Sequence, residues 1–403
     1  MLLGGIRYLL PVIEAAHKLG AYVITADYLP DNIAHKYSDE YVNVSIIDRD
    51  AVLNVAQEKQ IDGILSFGVD PGVVTAAYVA EKMGLPSPPL ASVEILQNKD
   101  KFRDFLAANG FNCPWHKGYR SKEEAMREWR SGGIESGGIC GFPAIVKPVD
   151  SAGSKGCTRV DSFDELSVAI DGAIAESHSG RFIIEQFLEK VGASSDTDCF
   201  SIDNKLCFCS FNNQYFDAES PNPYVPAGFV WPSEMPVDVQ GNLRDEIQRL
   251  IRLLNMGTSI YNVETRLATN GVPYIMEISP RGGGNRLAEM LRFASGQDLI
   301  ENAVRMALGL TMLGMSSPNY VGYWAELILH SNKAGVFNGL EIDDTYKSNV
   351  LQKDVWIAPG DLVGESTGAN QTIGTLVLRF NSYEEARVAI TSSSKWVKVL
   401  LGK

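Results

Sequence analysis

Short apolar runs alternate with amphipathic stretches over the first 83 residues of the chain. The runs MLLGG, YVITAD, YVNVS and DGILSF have the length and composition of strands, and helical periodicity fills 8–19, 48–59 and 71–83. Strands that alternate with helices form parallel sheets, because each helix returns the chain to the same edge. The pattern therefore predicts a small parallel sheet covered by helices.

The pattern changes at LPSPPLAS, residues 85–92, where three prolines predict a connector between domains. Beyond it, helices and strands no longer alternate one by one, which is typical of an α+β domain with antiparallel strands. Helical periodicity covers 99–109, 162–176, 241–255 and 297–308. Strand-like runs cover 143–147, 157–160, 182–187, 197–202 and 205–211.

A third section follows Gly309. It has strand signals at 321–329 and 373–380, a helical SYEEARVAI segment and few clustered functional side chains, as expected of a lid or packing domain. The sequence therefore predicts three domains, at 1–92, 93–310 and 311–403.

Two glutamates, Glu264 and Glu277, lie on either side of Asn270-Gly271. Asn-Gly favours a type I′ hairpin turn, in which both central residues have positive φ. That turn pairs Glu264 with Glu277 on a polar face and Arg266 with Ile275. Carboxylates about 5 Å apart across two strands repel each other unless a cation lies between them, and a hard divalent cation prefers oxygen ligands. The pair predicts a metal site; the alternative is an exposed hairpin whose charges are solvated.

The segment after the second glutamate adds a fixed cation and a permissive backbone. Arg281 follows Pro280, and three glycines follow Arg281. Asn285 is expected to cap a helix through Phe293, whose first N–H groups can bind an anion. A metal, an arginine and a glycine loop together indicate phosphate chemistry.

A second anion-binding segment is FPAIVKPVDSAGSKGCTRV, residues 142–160. It places Lys147 near the end of a buried strand, where an ammonium needs an anionic partner, and a Ser/Gly-rich loop follows. The alternative is a lysine that reaches solvent from the strand end. The chain has no GxxxxGK[ST] motif, so the loop is not a P-loop.

The segment FIIEQFL, residues 182–188, is an apolar strand that ends in polar residues. The backbone of such a strand end can hydrogen-bond an adenine edge while apolar side chains enclose the ring. Core packing explains the apolar positions equally well.

Gly4, Gly5 and Asp27 partly match a dinucleotide-binding fingerprint. No third glycine follows at the start of the helix, where Arg7 and Tyr8 stand instead. The glycines therefore favour a structural turn or a substrate-binding loop over a nicotinamide site, and Asp27 is more simply a strand-end cap.

Composition narrows the classes of partner. The chain has 403 residues and a net charge of −13, which disfavours nucleic acid and anionic membranes as partners. The apolar runs are too short for a membrane span or a signal peptide, so we expect a cytoplasmic protein. The six cysteines and five histidines form no CxxC or HExxH motif, which argues against zinc, and we expect no catalytic role for the cysteines.

Taken in chain order, these segments resemble the ATP-grasp superfamily in its carboxylate–amine ligase branch, which includes biotin carboxylase, phosphoribosylglycinamide synthetase and L-amino-acid ligases. The resemblance covers nearly the whole chain. It implies a fold with α/β and α+β parts: a Rossmann-like parallel-sheet domain first, an ATP-grasp domain next, and a smaller C-terminal α+β domain. It also implies ATP and Mg²⁺ as cofactors, with Mn²⁺ as an alternative metal.

The resemblance assigns roles to single residues. The helix NKDKFRDFLAANGF, residues 98–111, resembles the helix that carries a phosphate-contacting lysine, which maps to Lys101 with Lys99 as the competing choice. The implied nucleotide-binding residues are Lys101, Lys147, Ser151, Gly153, Ser154, Gly156, Glu185, Gln186, Phe187 and Leu188. The implied metal ligands are Glu264, Glu277 and Ser279.

Ser279 stands where many relatives have asparagine, and Asn262, paired with it in the predicted hairpin, is a compensating ligand. Arg281 maps to the catalytic arginine that faces the transferred phosphoryl group or the substrate carboxylate. The ribose contact falls near Ser194–Asp196 and stays unassigned.

The implied reaction activates a carboxylate as an acyl phosphate and couples it to an amine. The small-molecule substrates stay unidentified, the loop 221–232 is either a substrate contact or a packing segment, and a homodimer is implied by the family alone. Two other hypotheses are an ATP-binding module without turnover, based on Ser279, and a nicotinamide-dependent oxidoreductase, based on Gly4, Gly5 and Asp27.

Overall fold

The computed structural model describes residues 1–132, 141–368 and 371–402. The chain begins with a four-stranded parallel sheet of order β3-β2-β1-β4, as the alternating pattern predicts. The Asp48 side chain caps the second helix by accepting from the N–H of Ala51. The elements are β1 (Leu2–Leu3), α1 (Leu10–Lys18), β2 (Ile24–Asp27), β3 (Glu40–Asn43), α2 (Arg49–Glu58), β4 (Leu65–Ser66) and α3 (Val73–Met83).

A second sheet, wholly antiparallel, has the order β5-β8-β6-β7. Its elements and the helices around it are α4 (Leu90–Gln97), α5 (Lys99–Ala108), β5 (His116–Tyr119), α6 (Lys122–Arg130), β6 (Ala144–Pro148), β7 (Thr158–Val160), α7 (Phe163–Ala175) and β8 (Phe182–Gln186). Helix α4 begins inside the predicted connector, and its Val93 packs with Val73 of α3. The domain limits near residue 93 therefore stay a prediction, since a helix runs through that position.

The third sheet, of order β10-β9-β13-β14, carries the glutamate hairpin. This part of the chain contains β9 (Ser195–Ile202), β10 (Lys205–Cys209), β11 (Asn213–Phe216), β12 (Pro226–Trp231), α8 (Val237–Leu253), β13 (Ser259–Leu267), β14 (Pro273–Ser279), α9 (Leu287–Ser295) and α10 (Leu299–Ala307). Much of the loop predicted at 221–232 is strand β12, whose Phe229 and Trp231 are fully buried.

The last section adds β15 (Tyr323–Leu329), β16 (Gly335–Ile342), α11 (Asp344–Lys347), β17 (Val350–Val355), β18 (Leu362–Val363), β19 (Gly374–Phe380), α12 (Tyr383–Thr391), α13 (Ser393–Trp396) and β20 (Val397–Gly402). Its strands join those of the middle section in a sheet of order β11-β12-β15-β19-β17. The long-range pairing of β12 with β15 explains why β12 is difficult to see from local sequence. Within the described ranges, no helix combines the length and apolarity that crossing a membrane requires.

The glutamate hairpin has the predicted pair but not the predicted turn. Glu264 lies opposite Glu277, whereas Thr265 pairs with Ile275, so Met276 forms a bulge between them. At the turn, Gly271 has a φ of 78° while Asn270 is not in the positive-φ region, so the type I′ prediction is wrong. The loop is offset by one residue, and the bulge restores the register at the glutamates. Arg266 consequently faces Tyr274 rather than Ile275.

The helix after the glycines also begins differently from the prediction. Helix α9 starts at Leu287, its N-cap is Arg286 in a left-handed conformation, and the cap has no side-chain hydrogen bond. Asn285 therefore does not cap the helix. Its Oδ1 instead accepts a hydrogen bond of 3.0 Å from the Tyr8 hydroxyl.

Candidate functional site

The two glutamates of the hairpin are accessible, and each has a cation of the chain nearby. The side chains of Glu264 and Glu277 are 32% and 46% exposed. Arg266 lies 3.5 Å from Glu264, and Lys99 lies 3.8 Å from Glu277. The like-charge repulsion inferred from the register is therefore partly offset by the protein itself, because these ion-pair distances allow direct attraction.

The lysine next to the glutamates is Lys99, not Lys101. The ammonium of Lys99 donates to the carbonyl of Ser151 at 2.8 Å as well as facing Glu277. Burial alone would lower the pKa of Lys99, but Glu277 and other nearby acids raise it, so the ammonium is charged. Lys101 is 46% exposed and lies 3.7 Å from Glu94. Of the two lysines the sequence offered, Lys99 is therefore placed at the site.

Lys147 lies in a buried ion-pair cluster with Glu185 and Arg103. Its ammonium donates to Glu185 Oε2 at 2.7 Å. Arg103 Nε lies 3.0 Å from Glu185 Oε1, but that nitrogen and that oxygen do not form a hydrogen bond. The Arg103 and Glu185 side chains are 2% and 1% exposed. The anionic partner expected for Lys147 is thus a carboxylate of the chain.

This cluster predicts a loss of stability in acid. Burial alone would raise the pKa of Glu185, but Arg103 and Lys147 lower it to about 2. A carboxyl with a depressed pKa in the folded state stabilises the fold above its unfolded pKa of about 4.3, and that contribution disappears as pH falls toward 2. We expect the difference in unfolding free energy between the wild type and Glu185→Gln to shrink from pH 6 to pH 3, measured by urea denaturation. A pH-independent difference would contradict the assignment.

The predicted glycine-rich loop lies beside Lys99. Gly153 has a φ of 68°, a backbone conformation that favours glycine. A Cβ atom at this position would have no atom within 4 Å, so the conformation, and not a lack of space, favours glycine here. Gly156 has a φ of 66°, and a Cβ there would meet the carbonyl of Gly172 in α7 at 3.1 Å. Ser154 Oγ donates to the Tyr224 carbonyl at 3.5 Å. The loop therefore spans from Lys99 to the segment before β12.

The strand end at Glu185–Leu188, where the resemblance implies nucleotide contacts, uses several of its polar groups in hydrogen bonds within the chain. The N–H of Gln186 donates to the Trp115 carbonyl, and the N–H of Phe187 donates to the Pro143 carbonyl. The Leu188 carbonyl accepts from Arg266. Glu185 uses its side chain in the ion-pair cluster, so its carboxylate already has partners within the chain.

Arg281 and Ser279 meet an acidic residue that the sequence reasoning missed. Arg281 donates through Nε and Nη2 to the two oxygens of Asp70, at 2.9 and 2.7 Å. Ser279 donates to Asp70 at 3.0 Å and accepts from Gln97 at 2.7 Å. Burial alone would raise the pKa of Asp70, but Arg281 and Ser279 hold it below its usual value. The only local signal for Asp70 is its position in VDPG, just after strand β4.

Two more carboxyls share the sheet with the glutamates. Asp196 lies opposite Glu264, and Asp198 lies opposite Asn262, whose amide donates to Asp196 at 2.8 Å. Burial, followed by the charge of Glu264, raises the pKa of Asp196 to about 7. Burial raises the pKa of Asp198 to about 7, although the N–H of Gly283 opposes the shift. Asn262 is therefore committed to these carboxyls as well as facing Ser279.

No cluster of three or more His, Cys, Asp or Glu side chains has metal-binding geometry in the part of the chain that the structure describes. Glu264 and Glu277 are a pair, and Ser279 bonds to Asp70 and Gln97. A metal here needs further oxygen ligands from a bound molecule, which is typical of Mg²⁺ held by one or two carboxylates and phosphates.

The remaining sequence candidates have structural roles. Asp27 accepts from the N–H of Leu29 and from the amide of Asn32, which makes it a strand-end cap. A Cβ on Gly5 would lie 2.5 Å from the His35 ring, so the chain itself fills that space. The cysteines among the described residues are free thiols, and Cys140 lies outside those residues; the free ones are Cys113, Cys157, Cys199, Cys207 and Cys209.

Residues 96–285 match the family model of the ATP-grasp domain. The chain therefore carries an ATP-grasp domain, and the superfamily resemblance is confirmed. This match includes the lysines, the glycine loop, the glutamate hairpin and Arg281.

Relatives by sequence are distant. The chain is 23% identical over 407 residues to formate-dependent phosphoribosylglycinamide formyltransferase of Parasynechococcus marenigrum, covering 99% of this chain and 97% of that protein. It is 26% identical over 239 residues to the uncharacterized protein y4rH of Sinorhizobium fredii, covering 58% and 46%, so it spans about half of that relative. It is 25% identical to carnosine synthase 1 of Gallus gallus, covering 78% and 34%.

Solved structures extend the likeness to the whole fold. The L-amino acid ligase of Bacillus licheniformis superposes with a TM-score of 0.80 at 19% identity, covering 100% of this chain and 98% of that one. The phosphoribosylglycinamide synthetase of Anaerococcus prevotii gives 0.77 at 18% identity, with the same coverage. At these identities the comparison establishes the fold, which is the predicted ATP-grasp architecture with a parallel-sheet domain in front.

Proposed function

We propose that this protein is an ATP-dependent ligase that activates a small carboxylate as an acyl phosphate and joins it to an amine. The observation that carries the proposal is the convergence of Glu277, Lys99 and the Ser151–Gly156 loop at one place. These are a carboxylate for a metal, a cation for phosphates and a backbone that can wrap them. The ATP-grasp domain around them supports a nucleotide as the ligand.

The residues present fit magnesium and a nucleotide. When bound, Mg²⁺ would neutralise the phosphate charge that develops during transfer. Glu264 and Glu277 would hold the metal. Lys99 and Lys147 would bind phosphate oxygens, with Lys147 oriented by Glu185. Ser279 is not needed as a direct ligand in this arrangement, and Mn²⁺ as an alternative metal stays a prediction.

The proposed reaction has two nucleophilic displacement steps. The substrate carboxylate oxygen attacks the terminal phosphorus of ATP and ADP leaves; the amine nitrogen then attacks the acyl carbon, phosphate leaves, and the nitrogen loses a proton. The Ser151–Gly156 loop would exclude water from the acyl phosphate, which otherwise hydrolyses. Arg281 would stabilise charge on the substrate carboxylate, with Asp70 fixing the orientation of its guanidinium.

Names of relatives support the substrate class. One solved neighbour is described as an L-amino acid ligase, and one sequence relative is a carnosine synthase. Another neighbour, a biotin carboxylase domain dimer, was crystallised with MgADP and bicarbonate. For this chain, an amino acid as the carboxylate or the amine is part of the proposal, and a homodimer is an expectation from the family.

The test is an assay for ADP and phosphate with ATP, Mg²⁺ and combinations of substrates. The first panel contains free amino acids in pairs, phosphoribosylamine with glycine, and bicarbonate. We expect ADP release that depends on both a carboxylate and an amine. If the protein binds ATP but releases no ADP under any combination, the binding-module hypothesis replaces the ligase.

The two lysines of helix α5 give a matched test of the site. We expect Lys99→Ala to weaken ATP binding at least about tenfold, because a charge-assisted hydrogen bond contributes about 1.5–3 kcal/mol. Lys101→Ala, whose side chain is half-exposed and pairs only loosely with Glu94, should stay within about twofold. Binding of a non-hydrolysable ATP analogue, measured by calorimetry with Mg²⁺, distinguishes them. Equal effects, or a larger effect at Lys101, would refute the placement.

A further inference from the structure

A cavity of about 720 Å³ lies between the first helix, the start of α9 and strand β17, away from the glutamate hairpin. Its walls include Arg7, Tyr8, Arg286, Asp354 and Trp356. The volume is within the range of small-molecule sites, about 300–1,000 Å³. None of these residues is assigned to the nucleotide above, so the cavity calls for a different ligand.

Most charged groups of the wall lie in pairs of opposite sign, namely Arg7 with Asp354, Arg286 with Glu289 and Lys18 with Glu14; Lys353 also lines the cavity. Arg7 donates to both oxygens of Asp354, at 3.2 and 2.5 Å, and these side chains keep 31% and 24% exposure. Arg286 donates to both oxygens of Glu289, at 3.0 and 3.1 Å. Each arginine pair therefore presents a guanidinium beside a carboxylate at the surface of the cavity.

This pairing restricts the charge of the ligand. A simple anion that takes Arg7 leaves Asp354 without its partner, and a simple cation that takes Asp354 leaves Arg7 without its own; both outcomes are costly in a partly buried site. A zwitterion replaces both halves of the pair at once. Its carboxylate can accept from Arg7 while its ammonium donates to Asp354 or Glu289, so every charge stays paired.

Aromatic rings form the apolar part of the wall. Tyr8 and Trp356 pack edge to face with centroids 5.6 Å apart, and the Arg7 guanidinium lies 5.8 Å from the centroid of the Trp356 ring. The Trp356 indole N–H donates to Asp354 at 3.0 Å and so fixes the ring beside the ion pair. An apolar side chain can bury its surface against these rings. A ligand with only a hydrogen as its side chain would leave most of the cavity unfilled.

The cavity is connected to the loop that carries Arg281. The Tyr8 ring lies 3.4 Å from the position of a Cβ on Gly284, and its hydroxyl donates to Asn285. Tyr8 also packs against Gly68, in the segment that leads to Asp70. One residue of the cavity wall therefore touches both segments that form the Arg281–Asp70 pair.

A buried carboxyl, Glu326, lies behind the wall. Glu326 is fully buried, and neither of its oxygens has a hydrogen-bond partner among the described residues. It interacts electrostatically with Arg286 and Glu289. Burial raises the pKa of Glu326 well above its usual value, so this carboxyl is neutral and adds no charge to the cavity.

The geometry points to a binding site for a zwitterionic amino acid with an apolar side chain in this cavity, its carboxylate on Arg7 and its ammonium on Asp354 and Glu289. The role of that amino acid as a substrate rests on the proposed ligase function. Binding of the amino acid does not rest on that function, because none of the cavity residues is proposed to hold ATP or the metal.

The experiment measures binding without ATP or Mg²⁺. Each of the twenty L-amino acids is added to the full chain, the change in Tm is recorded, and the strongest binder is titrated by calorimetry. We expect it to have an apolar or aromatic side chain. Its analogues without the amine or without the carboxylate should bind at least about tenfold more weakly, because each loses a charge-assisted hydrogen bond. For L-phenylalanine these are 3-phenylpropionate and 2-phenylethylamine.

Variants then localise the site. Arg7→Gln and Trp356→Ala should weaken binding of that amino acid at least about tenfold and leave binding of an ATP analogue within twofold. The matched control is Arg387→Gln, an arginine that pairs with Glu384 on the surface of α12. The inference is overturned if no amino acid binds, if the deamino acid binds as tightly, which would indicate an anion site, or if the variants bind like the control. If the wild-type protein binds the amino acid but shows no ATP turnover, the proposed ligase function is refuted and the amino-acid site is not.

Discussion

Glu277→Ala is expected to reduce nucleotide turnover at least about 100-fold, because it removes one of the two carboxylates proposed to hold the metal. The side chain is 46% exposed, so its removal leaves no cavity in the core and the protein should still fold. The measurement is ADP release at saturating ATP over a range of Mg²⁺ concentrations. Lys99 also loses its partner in this variant, which adds to the loss.

Glu341→Ala is the control for that experiment, since Glu341 lies on strand β16 and is 59% exposed. It should retain wild-type turnover. If Glu277→Ala keeps turnover within about twofold of this control at every Mg²⁺ concentration, the hairpin is not the metal site. Rescue of Glu277→Ala by high Mg²⁺ alone would support a weakened metal site rather than a damaged fold.

Glu185→Ala is expected to destabilise the fold by about 3–5 kcal/mol, because it leaves Arg103 and Lys147 as buried cations without a carboxylate. Arg103 is only 2% exposed, so water cannot replace the lost charge at low cost. The measurement is the free energy of unfolding in urea at pH 7. Binding of an ATP analogue should also weaken, because Lys147 loses the group that orients it.

Glu189→Ala is the matched control, since Glu189 pairs with Arg159 and is 52% exposed. An exposed ion pair contributes about 0–1 kcal/mol, so this variant should stay near the wild type. A Glu185→Ala protein that unfolds within 1 kcal/mol of the control would mean that the cluster is better hydrated than its burial indicates.

The periodicity of the chain predicted most of the local elements. The alternation before residue 84 identified the parallel sheet, and caps such as Asp48 and Ser382 lie where helices α2 and α12 begin. These signals are local: a cap residue or an apolar repeat acts on neighbours within a few positions. Strand β12 lacked such a signal, because it is held by pairing with the distant strand β15.

Residue choices within an element were harder to predict. Lys99 and Lys101 are two positions apart on one helix, so they point in different directions, and only the packing of α5 decides which one faces Glu277. The hairpin gives a similar lesson. Its glutamates face each other as predicted, although the turn is offset, because the bulge at Met276 compensates for a one-residue error.

The sequence by itself determined the class of fold and the ATP-grasp resemblance, because apolar periodicity and short motifs depend on neighbouring residues. The register that brings Glu264 opposite Glu277 depends on the bulge at Met276, which the sequence did not predict. The tertiary structure decided which cations meet those carboxylates. Asp70 reaches Arg281 over 211 positions of the chain, and Arg7 reaches Asp354 over 347. Contacts at such separation depend on how whole domains pack, and no local pattern records them.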